Sequence, residues 1–253
     1  MGAFRKSTRV PCPECGRGPR DDTAVYTHDE RGYVWFCHRC GASGTNQLDG
    51  ADEPRELPPR PSLDAVVARF LRARVIEPGS PAASYLQARG CVLPPPDGHL
   101  RWVERARHPS GYVGPALLAL GTLAETHTQV GVIPQTIHTT WIQPDGLKAP
   151  VMPNRMFAAG CESKDVVCRL WPDWDVTLGL GVAEGIETAL SLAHGFTPVW
   201  AMLCAHTLSR FSPLDGIEAI TIAVDDDEAG RKAATSCWRL WHAAGKEARC
   251  VKA

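Results

Sequence analysis

The sequence predicts a mixed α/β chain in three parts. A small N-terminal module folded around cysteines comes first, then an α+β middle region, then a C-terminal parallel sheet with helices on both faces. Two Cys-x-x-Cys pairs in the first 40 residues predict the module. Alternating strand-like and helix-like runs over the last third predict the sheet. Two of those strand-like runs, ending at Ala183 and Val224, stop on carboxylates and pass at once through a Gly-containing turn into a helical pattern. Open α/β sheets bind ligands at the carboxyl ends of their strands, so this is where chemistry is expected.

The 253 residues, 44% of them hydrophobic, admit one large domain or two to three small ones. Net charge is −1, but residues 1–20 carry Arg5, Lys6, Arg9, Arg17 and Arg20 against Glu14 alone, a local +4. Such a tip suits salt-sensitive contact with phosphates; a solvated basic terminus is the alternative. No stretch has the length of a signal peptide, and no run approaches the ~20 apolar residues of a membrane helix. A cytoplasmic protein with no membrane partner is expected. In a reducing compartment its ten cysteines are metal ligands and small buried hydrophobes rather than a disulfide framework.

Cys12-Pro13-Glu14-Cys15 and Cys37-His38-Arg39-Cys40 form two knuckles 21 residues apart. This is the spacing of a four-thiolate zinc ribbon, in which both sulfurs of a knuckle reach one tetrahedral ion. Gly16 and Gly41 are expected to supply a positive backbone dihedral at each turn. A front end with so few large apolar side chains needs the metal to fold. Thr23–Tyr26 and Gly32–Phe36 read as a hairpin. Tyr26, Tyr33 and Trp35 offer stacking faces to unpaired bases beside Arg5, Arg9 and Arg39, or else pack around the metal. The ribbon is assigned to residues 1–46 and a Pro-rich linker to 47–62.

The middle region, residues 63–174, opens with Ser62 as N-cap of a helix over Leu63–Arg74, whose apolar positions recur at helical spacing. Ser80 and Pro81 open a second helix that Gly90 closes. Strands are expected over Ala116–Leu123, Gly131–Ile133, Ile137–Gln143 and Val166–Trp171, with a tight turn at Pro144-Asp145-Gly146. Lys148, Arg155, Lys164 and Arg169 bind a nucleoside triphosphate or a template backbone, or form a solvated basic face.

Residues 175–253 are the most regular. Strands at Leu178–Ala183, Val199–Leu203, Ala219–Val224 and Ala248–Val251 alternate with helices at Ile186–His194, Thr207–Phe211 and Glu228–Ala244. Right-handed crossovers bring the ends of the first and third strands to one edge. There Glu184 meets Asp225 and Asp227, which lie two apart in extended backbone and share a side while Asp226 turns away. Oxygen ligands in a shallow open site suit magnesium, which keeps positions for substrate phosphates. Glu228 favours its helix dipole; Glu187 either does the same or reaches the metal.

These residues resemble a known family. Glu184-Gly185 after an apolar strand, and Asp225-x-Asp227 followed by Glu228-Ala229-Gly230-Arg231, are similar to the two signature motifs of the Toprim fold of bacterial primases, topoisomerases and related nucleases. Residues 184–191 resemble the Toprim version in phage and plasmid primases, and both cysteine knuckles resemble the zinc ribbon of phage-type primases. The resemblance implies a DNA primase that makes short RNA primers on single-stranded DNA from ribonucleoside triphosphates. It implies structural zinc on Cys12, Cys15, Cys37 and Cys40, and catalytic magnesium, with manganese as a substitute, on Glu184, Asp225 and Asp227. Glu184 would be the general acid or base at the primer 3′-hydroxyl. Arg5, Arg9, Trp35, Arg39, Lys148, Arg169 and Arg231 are the candidate nucleic-acid and nucleotide contacts. The family's further acidic motif has no counterpart after the fourth strand, which removes the support for a second metal site. No G-x-x-x-x-G-K-[ST] loop occurs, so a replicative helicase is expected as a separate partner. A Toprim nuclease or topoisomerase, and a non-catalytic DNA-binding module, are the alternative readings.

Overall fold

The computed structural model describes residues 6–16, 24–29, 32–37, 43–47, 62–126, 133–158, 161 and 163–252. The chain divides into two compact units, Met1–Pro59 and Arg60–Ala253.

The first unit is a four-stranded antiparallel sheet in the order β1 (Lys6–Val10), β2 (Ala24–Asp29), β3 (Gly32–Cys37), β4 (Ser43–Gln47). The expected hairpin is β2–β3, with Tyr26 opposite Trp35 and Ala24 opposite Cys37. Its core is minimal: Cys12, Ala24 and Cys37, with Val10, Cys15, Tyr26 and Trp35 packed against them. Cys40, Gly41, Arg5 and Arg39 lie outside the described residues, as does most of the segment read as a linker.

In the second unit, α1 (Leu63–Leu71) starts where Ser62 Oγ accepts the Ala65 N–H at 3.2 Å, a cap that contributes about 1 kcal/mol. Val66 and Phe70, four apart, are its buried face. α2 (Pro81–Ala88) follows the same logic: Ser80 caps Ala83, Pro81 occupies the first turn, and Gly90 beyond the end takes φ +67°. The α2 residues Ala82, Ala83, Tyr85 and Leu86 are buried.

Nine strands form one sheet in the order β13-β12-β10-β11-β9-β6-β7-β8, with β5 also paired to β6. The middle-region strands are β5 (Leu100–Arg107), β6 (Val113–Leu123), β7 (Pro134–Trp141), β8 (Arg155–Phe157) and β9 (Val166–Arg169). The C-terminal strands are β10 (Gly179–Ala183), β11 (Val199–Ala201), β12 (Ala219–Val224) and β13 (Glu247–Lys252). β10, β11, β12 and β13 run parallel; β9 joins them to the antiparallel part by pairing with β11 on one side and β6 on the other. The sequence reading missed β5 and β8. A bulge between Val103 and Ala106 breaks the alternation of β5, and β8 is three residues long. Of the strand expected at Gly131–Ile133, residues 131–132 lie outside the described residues, and Ile133 is not in a strand.

Period-two alternation splits the parallel strands between two cores. Leu180, Val182, Trp200, Ile220 and Ile222 pack with α4 (Ala205–Arg210) and α5 (Glu228–Ala243) through Leu208, Ala233, Ala234, Cys237 and Trp241. On the opposite face Ala183, Val199, Ala201 and Ala223 pack with α2 and with α3 (Ile186–Leu192) through Tyr85, Leu86, Ala189 and Leu190. Gly181 permits this approach, because a Cβ there would stand 2.8 Å from Val199 Cγ1 and 3.0 Å from Leu192 Cδ2.

Candidate functional site

β10 and β12 are adjacent and parallel with Ala183 opposite Ala223. The chain leaves both strands at the same edge, β10 through Glu184-Gly185 into α3 and β12 through Asp225-Asp226-Asp227 into α5. Thr188, in the first turn of α3, donates its hydroxyl to Asp225 Oδ1 at 2.7 Å. Asp227 is the N-cap of α5, its Oδ1 accepting the Gly230 N–H at 2.7 Å. Asp226 turns outward to Arg231, at 3.1 Å, and Lys252. Arg231, a candidate nucleotide contact, is thus an exposed partner of Asp226.

Glu184 is half-buried. Burial, then the charges of Asp225 and Asp227, raise its carboxyl above the ordinary range, against the Ala205 N–H and Arg155. A carboxylate crowded by two others in this way favours a divalent cation nearby. Asp225 and Asp227 each commit Oδ1 to the fold, which leaves Oδ2 as the outward donor. The oxygen donor set suits magnesium. Among the described residues, however, the one group of three His, Cys, Asp or Glu ligand atoms mutually within 4.8 Å is Cys12, Cys15 and Cys37. Glu184, Asp225 and Asp227 do not form such a group among the described residues.

In the cysteine group, the Cys15 and Cys37 sulfurs are 3.6 Å apart. Two thiolates ~2.3 Å from a tetrahedral ion stand about 3.8 Å from each other, so the spacing fits a thiolate metal site. The Glu14 N–H points at Cys12 Sγ, at 3.4 Å. Gly16 corrects the sequence expectation: it does not take a positive φ. It is required by close approach instead, since its N–H reaches Cys12 O at 2.8 Å and a Cβ would lie 2.4 Å from that oxygen. Tyr26 and Trp35 stack on each other at 5.8 Å against the cysteine core. On the other face of the sheet Arg9, Val25 and Phe36 form a cross-strand row, with Phe36 46% exposed.

Cations from the middle region gather beside Glu187, three residues after Glu184. Arg155 Nη2 donates to Glu187 Oε1 at 3.2 Å, and the Tyr85 hydroxyl donates to the same oxygen at 2.6 Å. The Arg89 guanidinium lies 5.0 Å over the Tyr85 ring. Burial, then the nearby Arg155 and Arg89, depress the Lys148 ammonium. Arg169 departs from its expected role. It is fully buried, with Nε on Asp173 at 2.6 Å, Nη1 on Thr122 and Nη2 on Leu123 O at 3.0 Å, and it stacks over Trp200 at 4.6 Å. Its donors are spent on joining β9 to β6, β11 and the turn Asp173–Asp175.

Tyr85, Arg89 and Thr188 were missed by the sequence reading as parts of this constellation. The helical spacing of α2 marks Tyr85 as buried, but its partner is 102 residues away, and no local pattern encodes that.

Residues 179–253 match the family model described as Toprim domain, and residues 61–168 match one described as a domain of unknown function (DUF7146). No curated protein matches the chain. Among solved structures, the chain is similar to the primase fragment of the bacteriophage T7 primase-helicase protein. The identity is 17% and the TM-score 0.42, over 96% of this chain and 88% of that one. Glu184, Asp225 and Asp227 all lie within the segment that matches the Toprim model.

Proposed function

We propose that the protein is a DNA primase that synthesises short RNA primers on single-stranded DNA by magnesium-dependent nucleotidyl transfer. The observation that carries this reading is that Glu184 and Asp225-x-Asp227 follow neighbouring parallel strands at the same edge, with Ala183 opposite Ala223 and the two motifs joined by the Thr188–Asp225 hydrogen bond. Asp225 and Asp227 would hold magnesium. Magnesium held there would supply charge neutralisation at the nucleotide phosphates for an in-line displacement. Glu184, with its raised proton affinity, takes the proton of the primer 3′-hydroxyl. Thr188 and the Gly230 N–H keep the two aspartates aimed, and Arg155 and Lys148 face the triphosphate. Carboxylates rather than a nucleophilic Ser or Cys are what such a reaction needs.

The thiolate group would hold zinc with Cys40 as fourth ligand, and residues 1–46 would select the template site. We assign 47–62 as a linker, 63–174 as the region that supplies the cations and 175–253 as the catalytic domain. A separate replicative helicase would deliver the strand. A tyrosine nucleophile for strand passage finds no support in Tyr85, whose hydroxyl is bonded to Glu187 and whose proton affinity is raised by burial and by that carboxylate.

The test is incubation with single-stranded template, labelled ribonucleotides and magnesium. Template-dependent oligoribonucleotides are expected from the native protein, with a loss of ~100-fold or more in Glu184→Gln and Asp225→Asn. DNA cleavage without synthesis would move the assignment to a Toprim nuclease, and binding without either to a non-catalytic module. Cys37→Ser is expected to lose initiation but keep extension of a supplied primer.

A further inference from the structure

Glu187 stands in the first turn of α3, three residues after Glu184, and on sequence alone it could join the metal. Its surroundings argue otherwise. One oxygen, Oε1, accepts from both Tyr85 and Arg155. The side chain is only 16% exposed, while Arg155 is 38% exposed. Burial alone would raise the Glu187 carboxyl, yet Arg155, the Tyr85 hydroxyl and Arg89 outweigh it and hold the group below its ordinary range. A carboxylate already paired with a guanidinium is a poor ligand for a second cation, because the ion and Arg155 would repel each other at close range.

Both partners come from the 61–168 segment, Tyr85 from α2 and Arg155 from β8, whereas Glu187 belongs to the Toprim domain. Nη2 is the one Arg155 nitrogen with a described hydrogen bond, and its charge also acts on Glu184. The guanidinium is therefore held through Nη2 by Glu187, near enough to the acidic site for its charge to act on Glu184. Arg89 over the Tyr85 ring and the nearby Lys148 keep the local balance positive.

We propose that Glu187 is a positioning residue rather than a metal ligand: with Tyr85 it braces Arg155 at the edge of the acidic site, where the guanidinium meets a phosphate of the incoming nucleotide. This rests on the nucleotidyl-transfer reading of the site. Bidentate guanidinium–phosphate contact depends on a fixed fork, and a fork released from its anchor loses the orientation that makes it strong.

The test uses the full chain with Glu187→Gln and Tyr85→Phe as separate variants, and with both together. Manganese titration comes first. Glu187→Gln is expected to bind Mn2+ within about threefold of the native protein, whereas Asp225→Asn weakens it by ten-fold or more. An equal loss in Glu187→Gln would make it a ligand and overturn the proposal. Next, both single variants should weaken binding of a non-hydrolysable nucleoside triphosphate by about tenfold, the value of one charge-assisted hydrogen bond. In primer synthesis the effect should fall on the KM for ribonucleotides, with kcat within about threefold. The double variant should be no worse than Glu187→Gln, since both act through Arg155. Additive losses, or unchanged nucleotide affinity in Tyr85→Phe, would overturn the brace. Should the native protein make no RNA, the primase reading fails, while the manganese and nucleotide titrations still judge the role of Glu187.

Discussion

Thr188 and Asp225, 37 residues apart, are joined by a 2.7 Å hydrogen bond from the threonine hydroxyl to Oδ1. The bond ties the first turn of α3 to the loop after β12, and so ties the motif carrying Glu184 to the motif carrying the two aspartates. Thr188→Val keeps the shape and removes the donor. Global stability should fall by about 1 kcal/mol. Metal affinity should fall more selectively, by about tenfold, because Asp225 loses its orienting partner. Manganese titration beside urea denaturation checks both; an unchanged affinity would show that Asp225 orients itself.

Gly230 is the complementary case. Its N–H is held by Asp227, and a Cβ would stand 2.9 Å from Asp225 Cβ and 3.1 Å from Asp225 O. Gly230→Ala would ordinarily favour a helix by ~1 kcal/mol. Here it should push the acidic loop away from α5, destabilise the protein by about 1–3 kcal/mol and reduce activity. A stabilised, fully active variant would show that the loop yields freely.

Arg169→Met should unfold rather than desensitise. Removing the guanidinium leaves the largely buried Asp173 and the fully buried Thr122 hydroxyl without this partner, with an expected loss of about 3–5 kcal/mol. Nucleotide affinity of the folded fraction should be unchanged. A selective loss of nucleotide binding with native stability would restore Arg169 as a substrate contact.

Acid should weaken the fold between two defined limits. Burial, then Arg155, pushes His138 down to about 4, and burial, then Arg169 and Arg101, pushes His99 down to about 4. An unfolded histidine takes up its proton near pH 6.5, so the unfolded state binds more protons between these values. The stability these two groups contribute is full above about pH 6.5 and falls as the pH drops toward 4. Urea midpoints at intervals from pH 7 to 4 should show the slope, and His138→Leu should flatten it. An unaltered slope in that variant would assign the effect elsewhere.

The legibility of this chain follows from the range of the forces involved. Cys12, Cys15, Cys37 and Cys40 speak through a local spacing, and the structure brings the first three together, while Ala219–Val224 matches its strand residue for residue because an apolar run between turns has few other solutions. Ser62 and Ser80 mark helix starts because capping is a three-residue interaction. β5 was hidden by its charges and bulge, and β8 by its brevity.

By itself, the sequence determined the order of most elements, the two acidic strand ends and the cysteine knuckles, since each is written within a few consecutive residues. Tertiary structure alone decided which cations stand near the acidic strand ends. Arg155 and Arg169 look alike in sequence, yet one stands at the edge of the carboxylates and the other is enclosed between strands. Burial and long-range pairing set a side chain's role here, and both depend on partners far along the chain that no local pattern specifies.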